Sequence, residues 1–280
     1  MDRFLSTFSL ISRIPVKVKF NFDSSRMDFY LPLAGLVPAL LVFITCVVLS
    51  FAADTLLRSP LIAAVLVIVV QYFCFNLFHL DGLMDTADAF LGIANREKRL
   101  DILKDSRIGV YGFFAGFTLL FFKVALLSGL YPLIPAFPAV LLLYPLSGRF
   151  CAALVPCMVP PASAGGLGAL LKDSRPGRCI GGMISGAGLW FFMVWGLVNL
   201  AAFIPGFGFC VQVWGTAPVS TALLAAFSLG IAAPGTAFFY ARLYRRGIGG
   251  YTGDALGAAV ETAELLHLAA AALILNLSSG

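Results

Sequence analysis

Three aspartates, Asp81, Asp85 and Asp88, fall within eight residues of one another in the stretch HLDGLMDTADAF. On a helix turning about 100° per residue they lie at roughly 0°, 40° and 340°, on one face, while His79 points the other way. Three like charges on one face repel. Carrying each to the centre of a bilayer would cost up to about 2.5–3.5 kcal/mol, so something positive belongs among them. An N-cap or a solvated helix end accounts for one aspartate and leaves the other two unexplained. Carboxylate oxygens suit a hard divalent cation, and Mg²⁺ is usually held by few carboxylates while water and substrate phosphates fill its other positions. The chemistry indicated is therefore that of phosphate. The following loop, REKRLDILKDSRIG, places Lys104 and Arg107 around Asp105, a point charge and a planar fork suited to phosphate oxygens. Arg96, Lys98 and Arg99 are accounted for by snorkelling and by the bias of basic residues toward one side of a membrane.

A second group of acids comes late in the chain. After RRGIGGYTGD, the apolar stretch ALGAAVETAELLHLAAAALIL carries Glu261 and Glu264, at about 340° and 280° from Asp254 on a helix. Acids inside a membrane span are functional candidates; the plainer account is a pair of interhelical hydrogen bonds from protonated glutamates. Seven of the fourteen acids lie in the two groups, counting Asp105 with the first, and one shared site could hold both. Gly247, Gly249, Gly250 and Gly253 let backbone N–H groups approach an anion, or simply turn the chain. Arg149, inside LSGRFCAAL, needs an anionic partner or a water-filled cavity. His267 reads as a helix–helix hydrogen bond, and the second KDSR, Lys172 to Arg175, as a chance repeat of Lys104 to Arg107.

The elements that must position these residues are membrane helices. Apolar residues make up 60% of the chain and charged ones 12%, with mean hydropathy +0.95, far from the soluble average of about 45–50% and 25%. An all-α polytopic bundle of about seven spans is expected, from Leu31 to Ala53, Pro60 to Leu80, Val110 to Leu130, Leu133 to Met158, Cys179 to Phe203, Pro218 to Ala241 and Leu256 to Leu275. The alternation of a β-barrel is absent. Sixteen of nineteen basic residues fall on alternate loops, leaving Arg58 on an opposite one and Lys123 and Arg149 within spans. A cytoplasmic N-terminus follows, and the net charge of +5 reads as topology and attraction to anionic lipid, with nothing left for nucleic acid to explain. No cleavable leader is apparent. Cys46, Cys74, Cys151, Cys157, Cys179 and Cys210 have no metal-ligand spacing and read as packing residues. No polar stretch is long enough for a separate soluble domain, so residues 1–280 form one membrane-embedded domain.

The motifs HLDGLMDTADAF, LDILKDSRIGVYG, GLG at Gly166 to Gly168, GGYTGDALGAAVETAELL and the early ISRIPV resemble, in the same order, those of the membrane-embedded cobalamin synthases, the adenosylcobinamide-GDP ribazoletransferases. The resemblance covers residues 11 to about 270. It implies a Mg²⁺-dependent transferase of cobalamin biosynthesis in the cell inner membrane, with its active site facing the cytoplasm. Such an enzyme joins adenosylcobinamide-GDP to α-ribazole or its 5′-phosphate and releases GMP. Carried over by position, Asp81, Asp85, Asp88 and Asp105 become metal-site candidates; Asp88, as the last carboxylate of the triad and by analogy, is expected to be the base, with Asp105 next. His79, Lys104, Arg107, Arg149, Thr252, Asp254, Glu261 and Glu264 become candidates for substrate contact. The sequence departs from the family at PPASAG before GLG, at Tyr251 where Gln is familiar, and at Ala89 where Gly is. The Asp-rich helix is also similar to that of CDP-alcohol phosphotransferases, with a different spacing. A cation-coupled transporter is the competing class; it predicts acids at mid-membrane and internal repeats, and no repeat is visible. Oligomeric state stays open, a homo-oligomer included.

Overall fold

The computed structural model describes residues 1–51, 59–134, 141–201 and 224–277. Arg58, Cys210 and parts of the first, fourth, fifth and sixth expected spans lie outside them. Helices in chain order are α1 (Asp2–Ile11), α2 (Met27–Ala34), α3 (Leu36–Phe51), α4 (Pro60–Gln71), α5 (Leu77–Leu91), α6 (Arg96–Ile102), α7 (Val110–Leu130), α8 (Tyr144–Met158), α9 (Pro176–Ala201), α10 (Ala233–Gly247) and α11 (Gly253–Leu277). No strand occurs among the described residues.

Among the described residues six helical stretches are long and apolar enough to cross a membrane: Met27–Leu49, Pro60–Leu91, Val110–Leu133, Pro176–Leu197, Leu224–Gly247 and Gly253–Leu275. The fourth expected span, from Leu133 to Met158, differs. Its described residues are 133–134 and 141–158, of which α8 takes the last 15. Tyr144 to Pro156 are all buried, so α8 is apolar because it lies inside the protein, shielded from lipid by its neighbours. Leu141 to Leu143, just before it, are buried as well.

Local sequence explains several boundaries. Pro60 and Pro176 open α4 and α9, where a missing N–H costs nothing. Asn95 caps α6 by accepting the Lys98 N–H at 2.9 Å, and Thr252 caps α11 by accepting that of Ala255 at 3.1 Å. Between α4 and α5 the turn widens to a π-helix over Tyr72–Asn76, which re-aims the side chains on either side of it.

α11 packs along α5 and α8, and its approach to α5 rests on two glycines. A Cβ on Gly82 would fall on the Asp254 carbonyl oxygen, and one on Gly257 would lie 2.9 Å from the His79 Cα. Only hydrogen fits at either point, so the backbones meet as small-residue membrane helices do.

Candidate active site

The loops at one end of the bundle are tied together by named contacts. Ala162 N–H donates to the Tyr251 carbonyl at 2.8 Å and Tyr251 N–H to that of Pro160 at 3.0 Å, a short parallel bridge. The Tyr251 hydroxyl reaches the Gly168 carbonyl at 2.9 Å. Two of the three departures from the family pattern, PPASAG and Tyr251, are thus partners. Arg96 Nε donates to the Ile248 carbonyl at 3.1 Å, beside Gly249 at φ 79°, a conformation glycine adopts without penalty. Arg99 lies 5.0 Å over the Phe90 ring. Arg96 and Arg99, which the sequence left to the membrane rim, therefore dock the basic loop onto the glycine-rich one.

At this end Asp81 is exposed, and Asp85 and Asp254 are partly buried. The Gly82–Asp254 backbone contact brings α5 and the first turn of α11 together, and Asp85 lies within electrostatic range of Asp81, Asp254, Asp88 and Asp105. The two acidic groups do meet, but only through Asp254. Beside them is a cleft of about 270 Å³ lined by Leu100 and Lys104, residues 161–169 and Tyr251 to Asp254. The N-terminus of α11 opens into it, and a helix N-terminus with a lysine opposite is a setting for a phosphate.

Asp88 also has a local structural role. Its two carboxylate oxygens accept the Gly109 N–H at 2.8 Å and the Gly112 N–H at 2.9 Å, so it clamps the start of α7 to α5. Asp105 and Arg107 hold each other: Arg107 donates through Nε at 3.0 Å and Nη2 at 2.6 Å, with the arginine side chain 87% exposed. The Arg107 side-chain hydrogen bonds, then its backbone N–H, bring the Asp105 carboxyl down to about 2.

Glu261, Glu264, Arg149 and His79 lie elsewhere, in a closed network inside the bundle. Lys123 Nζ is 2.6 Å from Glu261 and 2.7 Å from Glu264, and Arg149 pairs with Glu264; all four side chains have no exposed surface. Tyr72 donates to Glu261 at 2.5 Å, Asn76 to Glu261 at 2.9 Å and Glu264 at 3.0 Å, and Arg149 to Asn76 at 2.6 Å. Gln71 joins through Glu264 at 3.3 Å and through the Tyr144 hydroxyl. His79 is buried 3.5 Å from Arg149. Both glutamates lie within ion-pair distance of a cation from another helix. Two cations and two carboxylates balance, as buried charge requires. Lys123, which the sequence places within a span, finds its partners here; Gln71, Tyr72, Asn76 and Tyr144 were not among the candidates, although polar residues inside apolar runs such as VQYFCFNLF are a signal in themselves.

Among the described residues no lysine or arginine pairs with Asp81, Asp85 or Asp254, and no three His, Cys, Asp or Glu side chains converge as a ready metal cage. Hard oxygen donors without a protein counter-charge, beside a phosphate-sized cleft, fit Mg²⁺, which needs only one or two carboxylates from the protein.

Fold and site define a polytopic helical membrane protein that presents a carboxylate- and lysine-lined cleft at one end of its bundle. The chain belongs to the cobalamin-5-phosphate synthase family, whose sequence model matches residues 3–272. It is 33% identical over 278 residues to an adenosylcobinamide-GDP ribazoletransferase of Rhizobium meliloti, covering 97% of this chain and 96% of that one. Another of that name, from Vibrio cholerae, is 34% identical over 95% of this chain and 91% of its own length. A third, from Fusobacterium nucleatum, is 26% identical over 96% of both. No solved structure matches the chain.

Proposed function

We propose that the protein joins adenosylcobinamide-GDP to α-ribazole or its 5′-phosphate with release of GMP, by Mg²⁺-assisted phosphoryl transfer at the cytoplasmic face of the cell inner membrane. The observation that carries this reading is the Gly82–Asp254 contact, which joins the Asp81–Asp85 face of α5 to a cleft bearing Lys104 and the N-terminus of α11. The family supplies the names of the substrates.

A ribazole hydroxyl oxygen attacks the phosphorus next to the corrinoid linker; the bond from that phosphorus to the bridging oxygen breaks, and GMP leaves with the bridging oxygen. Asp81 and Asp254 would hold Mg²⁺, which would offset charge on the transferring and leaving oxygens. Lys104 and the α11 amides, with Thr252 fixing the first turn, hold the phosphates. Asp85, partly buried among the other carboxylates, takes the hydroxyl proton. Asp88 and the Asp105–Arg107 pair order the loop that carries Lys104. The buried network of Lys123, Arg149, Glu261, Glu264 and His79 fixes α11 against α4, α5, α7 and α8, and its closed pairing gives an ion no path, which counts against transport.

The test is incubation of the purified protein in detergent with adenosylcobinamide-GDP, α-ribazole and Mg²⁺. GMP should appear in equal amount with the new phosphodiester, and should need metal. Release of GDP or inorganic pyrophosphate would mean that a different bond breaks. Cysteines placed at exposed Ser106 and Ala164, in a background without the native six, should label only from the cytoplasm.

A further inference from the structure

A second cleft, of about 600 Å³, opens at the same end between residues 22–28 and residues 169–174 with Arg178. It adjoins the smaller one: the short helix Leu167–Leu171 separates them, and Ala169 lines both. Its size falls in the range of about 300–1,000 Å³ usual for small-molecule sites. Nothing in the reaction described above uses it.

Its walls are held firmly. Asp28, 2% exposed, accepts the Arg175 N–H at 2.8 Å and lies 2.8 Å from Arg178 Nε. Asp23 accepts from Arg3 at 2.9 Å and from the Ser25 N–H at 2.8 Å. The charges that line the cleft cancel, with Asp23, Asp28 and Asp173 against Arg26, Lys172 and Arg178. An anion would meet three carboxylates there, whereas a neutral ligand rich in hydrogen-bond donors and acceptors would not be repelled.

Arg26 supplies a second, independent observation. Among the described residues it is the one non-glycine with positive φ, at φ 61° and ψ 27°. The Phe29 and Tyr30 N–H groups, donating to its carbonyl at 2.9 and 3.2 Å, fix that conformation. Glycine or asparagine is the residue this backbone favours. An arginine stands there instead, its side chain exposed and lining the cleft. Strain retained at a position facing a cleft points to the side chain's use.

We propose that this cleft seats one carboxamide-bearing edge of the corrin macrocycle of the donor substrate, with Arg26 and Lys172 donating to carboxamide oxygens. This rests on the reading of the donor as adenosylcobinamide-GDP. The corrin and the nucleotide leave the scissile phosphorus in opposite directions, so a donor spanning two adjoining clefts puts its pyrophosphate by Asp254 and its macrocycle beyond Leu167–Leu171.

The test uses Arg26→Gly and Lys172→Ala in the full chain, with two donors. One is adenosylcobinamide-GDP; the other is the guanosine diphosphate ester of 1-aminopropan-2-ol, which keeps the pyrophosphate and lacks the macrocycle. Loss of one charged hydrogen bond is worth roughly ten- to a hundredfold. Arg26→Gly should raise KM for the full donor by about that factor, leave KM for α-ribazole and kcat/KM for the truncated donor unchanged, and not lower the unfolding temperature, since glycine suits the backbone. Equal losses with both donors, or no loss with either, would overturn the proposal. Equilibrium dialysis of adenosylcobinamide, followed by its visible absorbance, reads the subsite without turnover; equal binding by parent and Arg26→Gly also overturns it. A parent that binds the corrinoid but never releases GMP overturns the proposed reaction and leaves the subsite standing.

Discussion

Replacing Gly82 with alanine should separate the two halves of the site while leaving every charged residue in place. The new Cβ would fall on the Asp254 carbonyl oxygen and lie 2.9 Å from its carbonyl carbon and 3.3 Å from its Cα. Carbon atoms rest at about 3.5–4.0 Å, and all three obstacles are backbone, which cannot rotate aside. α5 and α11 must therefore part by roughly 1 Å, a displacement that costs about 10²-fold in rate when it falls between catalytic groups. Stability responds less. Overpacking costs about 1–3 kcal/mol, and alanine returns about 0.5–1 kcal/mol relative to glycine inside a helix, for a net loss of roughly 0–2.5 kcal/mol. Gly188→Ala on α9 is the control, since a Cβ there meets nothing within 4 Å; it should keep the parental rate and gain about 0.5–1 kcal/mol. Initial rates of GMP release per folded protein, with tryptophan-monitored unfolding in detergent, measure both effects. A Gly82→Ala enzyme within twofold of the parent would refute the reasoning that α5 and α11 share one site.

Lys123→Met leaves Glu261 and Glu264 short of a cation in the interior, a loss of about 3–5 kcal/mol; thermal unfolding should fall sharply, and the double variant with Glu261→Gln should recover part of it. Asp88→Asn turns an amide N–H₂ toward one of two backbone donors, so it should lower stability by about 1–3 kcal/mol, with no rescue by added Mg²⁺, whereas Asp85→Asn should lower rate at unchanged stability. The Asp105 carboxyl, held at about 2 by Arg107, has its folded value below its unfolded one. Its contribution to stability is therefore complete above the unfolded value of about 4 and lost as pH falls through about 2. Between pH 5 and 9, a range set well above both values, it stays ionised, so the acid limb of the rate profile should be the same in Asp105→Asn as in the parent. A shifted limb would make Asp105 a proton acceptor after all.

Much of this protein is written in its linear order. Composition and the run lengths of apolar residues define a helical membrane protein, because a bilayer core leaves the backbone no partner but itself. The Asp81–Asp85 face follows from spacing alone, since 3.6 residues per turn is a local property. The motifs also carried the family. Six of the seven expected spans correspond to membrane-length helices among the described residues; α8 has the composition of a span and is surrounded by protein, and hydropathy does not distinguish lipid from neighbouring side chains.

What tertiary structure decided is which polar groups face each other. Asp254, Glu261 and Glu264 share one side of α11, but depth separates them. Asp254 meets Asp81 and Asp85 at the end of the bundle, while the glutamates are taken by Lys123 and Arg149, which are 138 and 115 residues away in sequence. Asp88 belongs to the triad by spacing and to the start of α7 by contact. The π-helix over Tyr72–Asn76 turns Gln71, Tyr72 and Asn76 inward, an offset that counting residues at a regular pitch does not register. A periodicity fixes the azimuth of a side chain on its own helix. Whether that direction ends at water, lipid or an opposite charge depends on helices far away in the chain, brought close here because Gly82 and Gly257 carry no side chain to keep them apart.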